Sequence, residues 1–447
     1  MKIIRDLDIA KSTLLKRLPL ELQEIPLSVK QRVKEAFGEE LGPQQVVARI
    51  IEKVRSKGDA ALFDYTKRLD GVELTSLEVK REEIAQSYTK VSQELLSALE
   101  LAAQRIQAFH LNCQRQSWVD FSEGGLGQWV RPLDKVGIYV PGGKASYPST
   151  LLMTAIPAKV AGVREIVIVT PPGEAGAIPP ATLVAADIAK VDRIFSIGGA
   201  QAIAALAFGT QSIPRVDKIC GPGNIFVQLA KKEVYGIVDI DGLYGPTETI
   251  ILAAETANPA ICAADLLAQA EHDPLASAIL ITTSSELAAK VNKEIEYQLT
   301  KLPRKEIITH SLQGRGGIIL VTDMEQAIEL INDYAPEHLS LMLPDAWSYL
   351  PKIRNAAGIF VGESAAEVIG DYIAGPSHVM PTGGTARFSS PLTVDAFLKV
   401  TSIVAIDSET MKKIGPASAT LARAEGLDGH AQSVEIRLPK LKNKECL

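Results

Sequence analysis

The run VGIYV at 136–140 is short, apolar and closed by Pro141 and Gly142, and three runs of the same kind follow it: EIVIVT at 165–170, IFSI at 194–197 and TIILA at 249–253. Such runs, rich in Ile and Val and bounded by Gly or Pro, read as strands buried on both faces, and the Ala-rich stretches between them read as helices. A second series continues with AILIT at 278–282, GIILV at 317–321, HLSLML at 338–343 and GIFV at 358–361. Strands alternating with helices predict βαβ units and parallel sheets, so the economical reading is α/β with two domains. Upstream the pattern is helical: Val46, Val47, Ile50, Ile51 and Val54 recur at helix spacing and stop at Gly58, and Val91, Leu95, Leu96, Leu99, Ala103 and Ile106 do the same. Downstream, FLKVTSIVAI at 397–406 and ATLARAEGL at 419–427 read as a small appended C-terminal domain.

The 447 residues suffice for several domains, and 46% hydrophobic with 22% charged excludes a mainly disordered chain. A formal charge of −6 leaves no cationic excess for phosphates, so no nucleic-acid partner is expected. No stretch of about 18 uncharged apolar residues occurs, so no membrane span is expected. Cys113, Cys220, Cys262 and Cys446 are scattered and form no C-x-x-C pair. Together with an N-terminal MKIIRDLDIAKSTLLKRL that has no apolar export core, they predict a cytoplasmic protein.

Six histidines bound the imidazole chemistry, and four lie beside acids or loops of interest. In DLLAQAEH, helical spacing puts Asp265, Gln269 and His272 on one face, which fits a pair of metal ligands or a polar helix end in solvent. YAPEHL sets Glu337 and His338 after Pro336 at the start of an apolar run. Neighbours on a regular strand point to opposite faces, so both reach one pocket only where the backbone is irregular; otherwise one of them is structural. Asp371 and His378 lie in the Gly/Pro-dense GDYIAGPSHVMPTGGTARF, whose apolar residues argue against a free loop, and Glu425 and His430 lie close together in AEGLDGHAQS. Jointly these segments supply the carboxylates and imidazoles that a catalytic zinc site requires. The glycines of VGIYVPGG, GGAQAIAALAFG and CGPGN follow strands, either as helix-start phosphate sites or as tight turns; none forms G-x-G-x-x-G. Cys220 reads as a small core residue in preference to a nucleophile.

In order, VGIYVPGG, GGAQAIAALAFGT, KICGPGN, GPTE, DLLAQAEHDP, YAPEHL, GDYIAGPSHVMPTGGTARF and EGLDGH resemble histidinol dehydrogenase, and the similarity runs from SKGDAALFDYTKRLDG at 56–71 through His430. The resemblance implies a zinc- and NAD-dependent enzyme of histidine synthesis that takes L-histidinol through the aldehyde to L-histidine with two NAD. It implies two incomplete Rossmann-like domains with small terminal segments, in an intertwined homodimer. The implied division is a helical segment 1–24, a zinc-bearing and catalytic domain 25–136 plus 250–388, an NAD-contacting domain 137–249 and a dimerisation domain 389–447.

Carried onto this chain, the family's zinc ligands match Gln269, His272, Asp371 and His430, the last from the partner subunit; the catalytic pair matches Glu337 and His338. The substrate-contacting positions match Thr247, His378 and Glu425 beside those ligands and that pair, and the NAD contacts match Tyr139, Gln201 and Asn224. Thr247 stands where the family has Ser, keeping the hydroxyl and adding a methyl group, and the preceding DGLY also departs from the family pattern. A related alcohol dehydrogenase acting on another polyol or a sulfonated diol is the alternative, with Thr247 as the discriminating position. A zinc hydrolase lacks its H-E-x-x-H here, and an inactive metal-binding protein has no need of Glu337 with His338.

Overall fold

The computed structural model describes residues 1–17, 25–142, 146–173 and 176–438. They form two compact units, Met1–Cys113 with Leu133–Phe397, and Gln114–Pro132 with the chain from Leu398 onward.

The first unit holds two parallel sheets. Strands β4 (Lys135–Tyr139), β5 (Glu165–Thr170), β6 (Arg193–Ser196), β7 (Lys218–Cys220) and β8 (Asp239–Ile240) lie in the order β6-β5-β4-β7-β8. Third, second, first, fourth, fifth is the order of a dinucleotide-binding sheet that stops one strand short. Alternation within each run supplies both faces. Val167 and Val169 enter one core with Val46, Ile50 and Val54 of the Pro43–Lys57 helix, and Ile166 and Ile168 enter another with Leu99 and Ile106 of the Gln93–Leu111 helix. The helices of residues 43–111 thus cover this sheet. Helical periodicity reveals a buried face but not which sheet buries it.

The second sheet is built from β9 (Glu248–Ala253), β10 (Ser277–Thr282), β11 (Gly317–Leu320), β12 (His338–Met342) and β13 (Gly358–Val361), with β1 (Lys2–Ile4) added beside β11; its order is β1-β11-β10-β9-β12-β13. From β9 onward it repeats the order of the first sheet. Ile251, Leu280 and Ile318 face the Pro259–Ala270 and Ser285–Leu299 helices, while Ile250, Ile279, Ile319 and Leu339 face the Met324–Tyr334 helix.

The second unit pairs β14 (Leu398–Ala405) antiparallel with β3 (Gly125–Pro132), which pairs with β2 (Trp118–Asp120), and adds the Ser408–Ala424 and Asp428–Glu435 helices. Phe397 is fully buried in the first unit's core, and the C-terminal segment obtains its sheet partners from residues 118–132, far earlier in the chain. No helix among the described residues is long and apolar enough to cross a membrane.

Candidate active site

Three neighbouring strands of the six-stranded sheet begin together, with His338 in register with Thr249 on one side and Gly358 on the other. Thr247 immediately precedes β9, and Glu337 immediately precedes β12. The backbone between helix and strand is irregular, as a meeting of adjacent side chains requires: Ala335 closes the Met324–Tyr334 helix in the left-handed region (φ 49°), and Pro336 follows. Glu337 Oε2 then stands 3.5 Å from His338 Nδ1, accepts from Thr247 Oγ1 at 2.7 Å and accepts from Glu248 N at 3.1 Å. His338 is only 3% exposed, stacks on Phe360 and brings Nε2 to 3.5 Å from Asp371 Oδ1. Burial opposes charge on this imidazole, yet Glu337 and Asp371 outweigh it and hold His338 well above its ordinary range. For Asp371, burial pushes upward and is overcome by His338, which leaves the carboxyl below its usual range.

Gln269 is buried near the end of the Pro259–Ala270 helix, and His272 follows it, exposed. Asp265, on the same helix, is buried and pushed by burial to about 6. Gln269 Oε1 lies 3.0 Å from Thr247 Oγ1, while its Nε2 is buried with no hydrogen-bond partner among the described residues. Thr247 has one hydroxyl proton, and Glu337 is its acceptor of greater charge. Turning the Gln269 amide over lets Nε2 donate to Thr247 and frees the carbonyl oxygen for a cation. His378 accompanies this group: Nδ1 lies 2.6 Å from the Asp371 carbonyl oxygen and Nε2 lies 3.1 Å from Thr150 Oγ1. Burial lowers its imidazole, with Asp371 opposing.

The structure therefore gathers Thr247, Gln269, Glu337, His338, Asp371 and His378 in the first unit, with His272 close enough to influence Asp371. Glu425 and His430 lie in the second unit, exposed, where both line a cavity of about 560 Å³ together with Leu421 and Leu427. Among the described residues no three His, Cys, Asp or Glu side chains of the chain converge as a metal site. Gln269, His272 and Asp371 offer one amide oxygen, one imidazole and one carboxylate, a donor set suited to zinc and one ligand short of four.

Tyr139, Gln201 and Asn224 lie at the opposite kind of edge, the carboxyl ends of the five-stranded sheet, where β4 and β7 diverge to helices and ligands of open α/β sheets are held. Tyr139 Oη accepts from Gly199 N at 3.2 Å, which opens the Gly199–Phe208 helix, and burial pushes its phenol to about 12. Gln201 is buried, with Oε1 unpartnered among the described residues. Asn224 caps the Ile225–Val234 helix by accepting from Phe226 N and Val227 N at 3.0 and 3.2 Å. Gly221 takes φ 110°, and a Cβ there would collide with the Tyr139 carbonyl oxygen. Cys220 is fully buried, and burial holds its thiol well above its ordinary range, which suits a core residue.

Three site neighbours, Arg17, Glu248 and Glu367, are not among the residues the sequence singles out. Arg17 Nη2 donates to Glu248 Oε2 at 2.6 Å and to Ala335 O at 3.4 Å, with the guanidinium 3.9 Å from the centre of the Tyr334 ring. Burial pushes the Glu248 carboxyl to about 7, with Arg17 opposing. Glu367 is buried, accepts from Thr249 Oγ1 at 2.5 Å and is pushed by burial to about 7. Glu367 stands four residues before Asp371 on the Glu367–Tyr372 helix, a spacing that would have placed it on the same face. Nothing distinguishes Arg17 in the sequence around it.

The family description of histidinol dehydrogenase matches residues 36–438. The histidinol dehydrogenase of Dehalococcoides mccartyi strain CBDB1 is 52% identical over 438 residues, covering 98% of this chain and 100% of that one. That of Clostridium acetobutylicum is 51% identical over 410 residues, covering 91% and 95%. The crystal structure of histidinol dehydrogenase from Elizabethkingia anophelis matches with a TM-score of 0.90 at 36% identity, over 97% of this chain and 96% of that one. Sequence and fold agree over nearly the whole length, and the chain belongs to the histidinol dehydrogenase family of NAD-dependent oxidoreductases.

Proposed function

We propose that this enzyme oxidises L-histidinol through L-histidinaldehyde to L-histidine, in histidine biosynthesis, with two NAD used in succession at one site. The observation that carries this reading is the buried Glu337–His338 pair, a carboxylate and an imidazole 3.5 Å apart beside Asp371 and the Thr247 hydroxyl. Oxidation of an alcohol and then of a hydrated aldehyde needs a base twice and an activated water once. His338 takes the hydroxyl proton as the first hydride leaves carbon. Glu337 removes a proton from the water that adds to the aldehyde, and His338 takes the proton of the resulting diol as the second hydride leaves. Alcohol, water and two NAD then become carboxylate, two NADH and three protons.

When bound, NAD accepts the hydrides and zinc supplies a fixed point for the amino and imidazole nitrogens of the substrate. Gln269, His272 and Asp371 would hold the zinc together with His430 of the partner subunit, which supplies the missing fourth ligand of a homodimeric site. Tyr139, Gln201 and Asn224 would contact NAD. Thr247, His378 and Glu425 would contact the substrate, the carboxylate of Glu425 facing its positive charge. Glu337 and Asp371 both favour protonated His338; a cation held by Asp371 would remove its share and place positive charge nearby, which would favour the neutral imidazole as a base. Cys113, Cys220 and Cys262 are free, which suits the reducing cytoplasm.

The test is stoichiometric: purified protein with L-histidinol and excess NAD should form two NADH per substrate consumed. A ratio of one, or turnover only with an unrelated diol, rejects the reading in favour of another alcohol dehydrogenase activity.

A further inference from the structure

Lys231 and Asp241 form an ion pair with no role in the chemistry above. Their side chains are 0% and 1% exposed, and Nζ lies 2.5 Å from Oδ1. Lys231 Nζ also donates to Gly221 O at 3.0 Å, and Asp241 Oδ2 accepts from Gly221 N at 2.7 Å, so the pair holds both polar groups of one glycine. That glycine begins the turn that ends at Asn224. Asp241 begins the segment that ends at Thr247, and Tyr244 within it lays its ring 4.7 Å from Lys231 Nζ. Gln228 ties the same two segments a second time: Nε2 donates to Gly223 O at 3.3 Å, and Oε1 accepts from Tyr244 N at 2.9 Å. Lys231 and Gln228 both project from the Ile225–Val234 helix, so one rigid element carries both ties.

Exchanging both members of a buried ion pair for neutral side chains is often harmless to stability, so stability alone does not account for this arrangement. We propose that Lys231 and Asp241 are positioning residues that set the spacing between the cofactor turn 221–224 and the substrate segment 241–247. The proposal rests on the reading above that Asn224 contacts NAD and Thr247 contacts substrate. Hydride transfer demands that the two ligands meet at van der Waals range, and a displacement of about 1 Å can cost up to about a hundredfold in rate. A clamp spanning both segments fixes that distance before either ligand arrives.

The test compares Lys231→Met, Lys231→Met with Asp241→Asn, and Gln228→Met with the wild-type enzyme, by thermal melts and by initial rates at varied NAD and varied L-histidinol. Lys231→Met alone leaves a buried carboxylate unpaired and should lower Tm most; the double variant should recover most of that loss. Although folded, the double variant should keep about a tenfold lower kcat, with KM for NAD and L-histidinol changed less. Gln228→Met, which leaves no charge behind, should lower kcat about threefold and decides the matter where the double variant does not fold. A kcat within about twofold of wild type in the folded variants overturns the positioning role. A wild-type enzyme that forms no NADH from L-histidinol overturns the functional reading itself, and is recognised before any variant is compared.

Discussion

Glu337 and His338 meet because the chain does not enter β12 as a regular strand: the left-handed Ala335 and Pro336 delay the strand until His338. Their proposed roles separate by half-reaction. His338→Gln should slow oxidation of both L-histidinol and L-histidinaldehyde by about 10²–10⁴-fold, and Glu337→Gln should slow mainly the aldehyde step, as single-turnover rates for the two substrates will show. Equal losses in Glu337→Gln, with zinc still bound, would remove it from water activation. A residue outside the site makes a different prediction. His110 is fully buried, neither ring nitrogen has a hydrogen-bond partner among the described residues, and burial lowers its imidazole to about 4. Above pH 6.5 neither the folded nor the unfolded form binds the proton and there is no penalty. As pH falls towards 4 the unfolded chain takes up a proton that the folded chain resists, so up to about 3 kcal/mol of stability is lost across that window. His110→Leu should flatten this part of the Tm-against-pH curve; parallel curves for the variant and wild type would refute the assignment.

The strands were legible because a parallel sheet buries both faces and so leaves uninterrupted apolar runs, and the helix at 43–57 was legible from its single buried stripe. Less legible was which end of each sheet carries a site. The proposed NAD-contacting positions fall at carboxyl ends, as glycine after a strand suggests, whereas Thr247, Glu337 and His338 fall at amino ends, where no turn signature marks them. Arg17 and the pairing of β3 with β14 depend on approach between distant segments, which local patterning does not encode. The glycine turns can be tested as elements. Gly221→Ala and Gly236→Ala both place a side chain at positive φ, 110° and 96°, which costs about 1–2 kcal/mol. Only at position 221 does the added Cβ meet backbone, the Tyr139 carbonyl, while around Gly236 the space is open. Gly221→Ala should therefore lower Tm further than Gly236→Ala and raise KM for NAD; equal Tm losses with unchanged KM would show that the turn yields freely.

At the scale of the molecule, the proposed ligands Gln269, His272 and Asp371 lie in one compact unit and the fourth, His430, in the other. A homodimer sharing zinc between chains predicts complementation. His430→Asn and His338→Gln should each be inactive, yet a mixed dimer would collect both lesions in one site and leave the other intact, so co-refolding should restore substantial activity. A fully active monomer isolated by size-exclusion chromatography would eliminate ligand sharing. The three-residue strand β1 bears on something else again. It occupies the outer edge of the six-stranded sheet beside β11, whose GIIL sequence is buried throughout, and the chain then runs on to Arg17 beneath the catalytic strands. An uncovered edge of that composition is a template for strand addition from another copy. Trimming or tagging the amino terminus thus has a double effect: it invites aggregation along β11 while it loosens the start of β9, so a loss of soluble yield and a loss of turnover would share one origin.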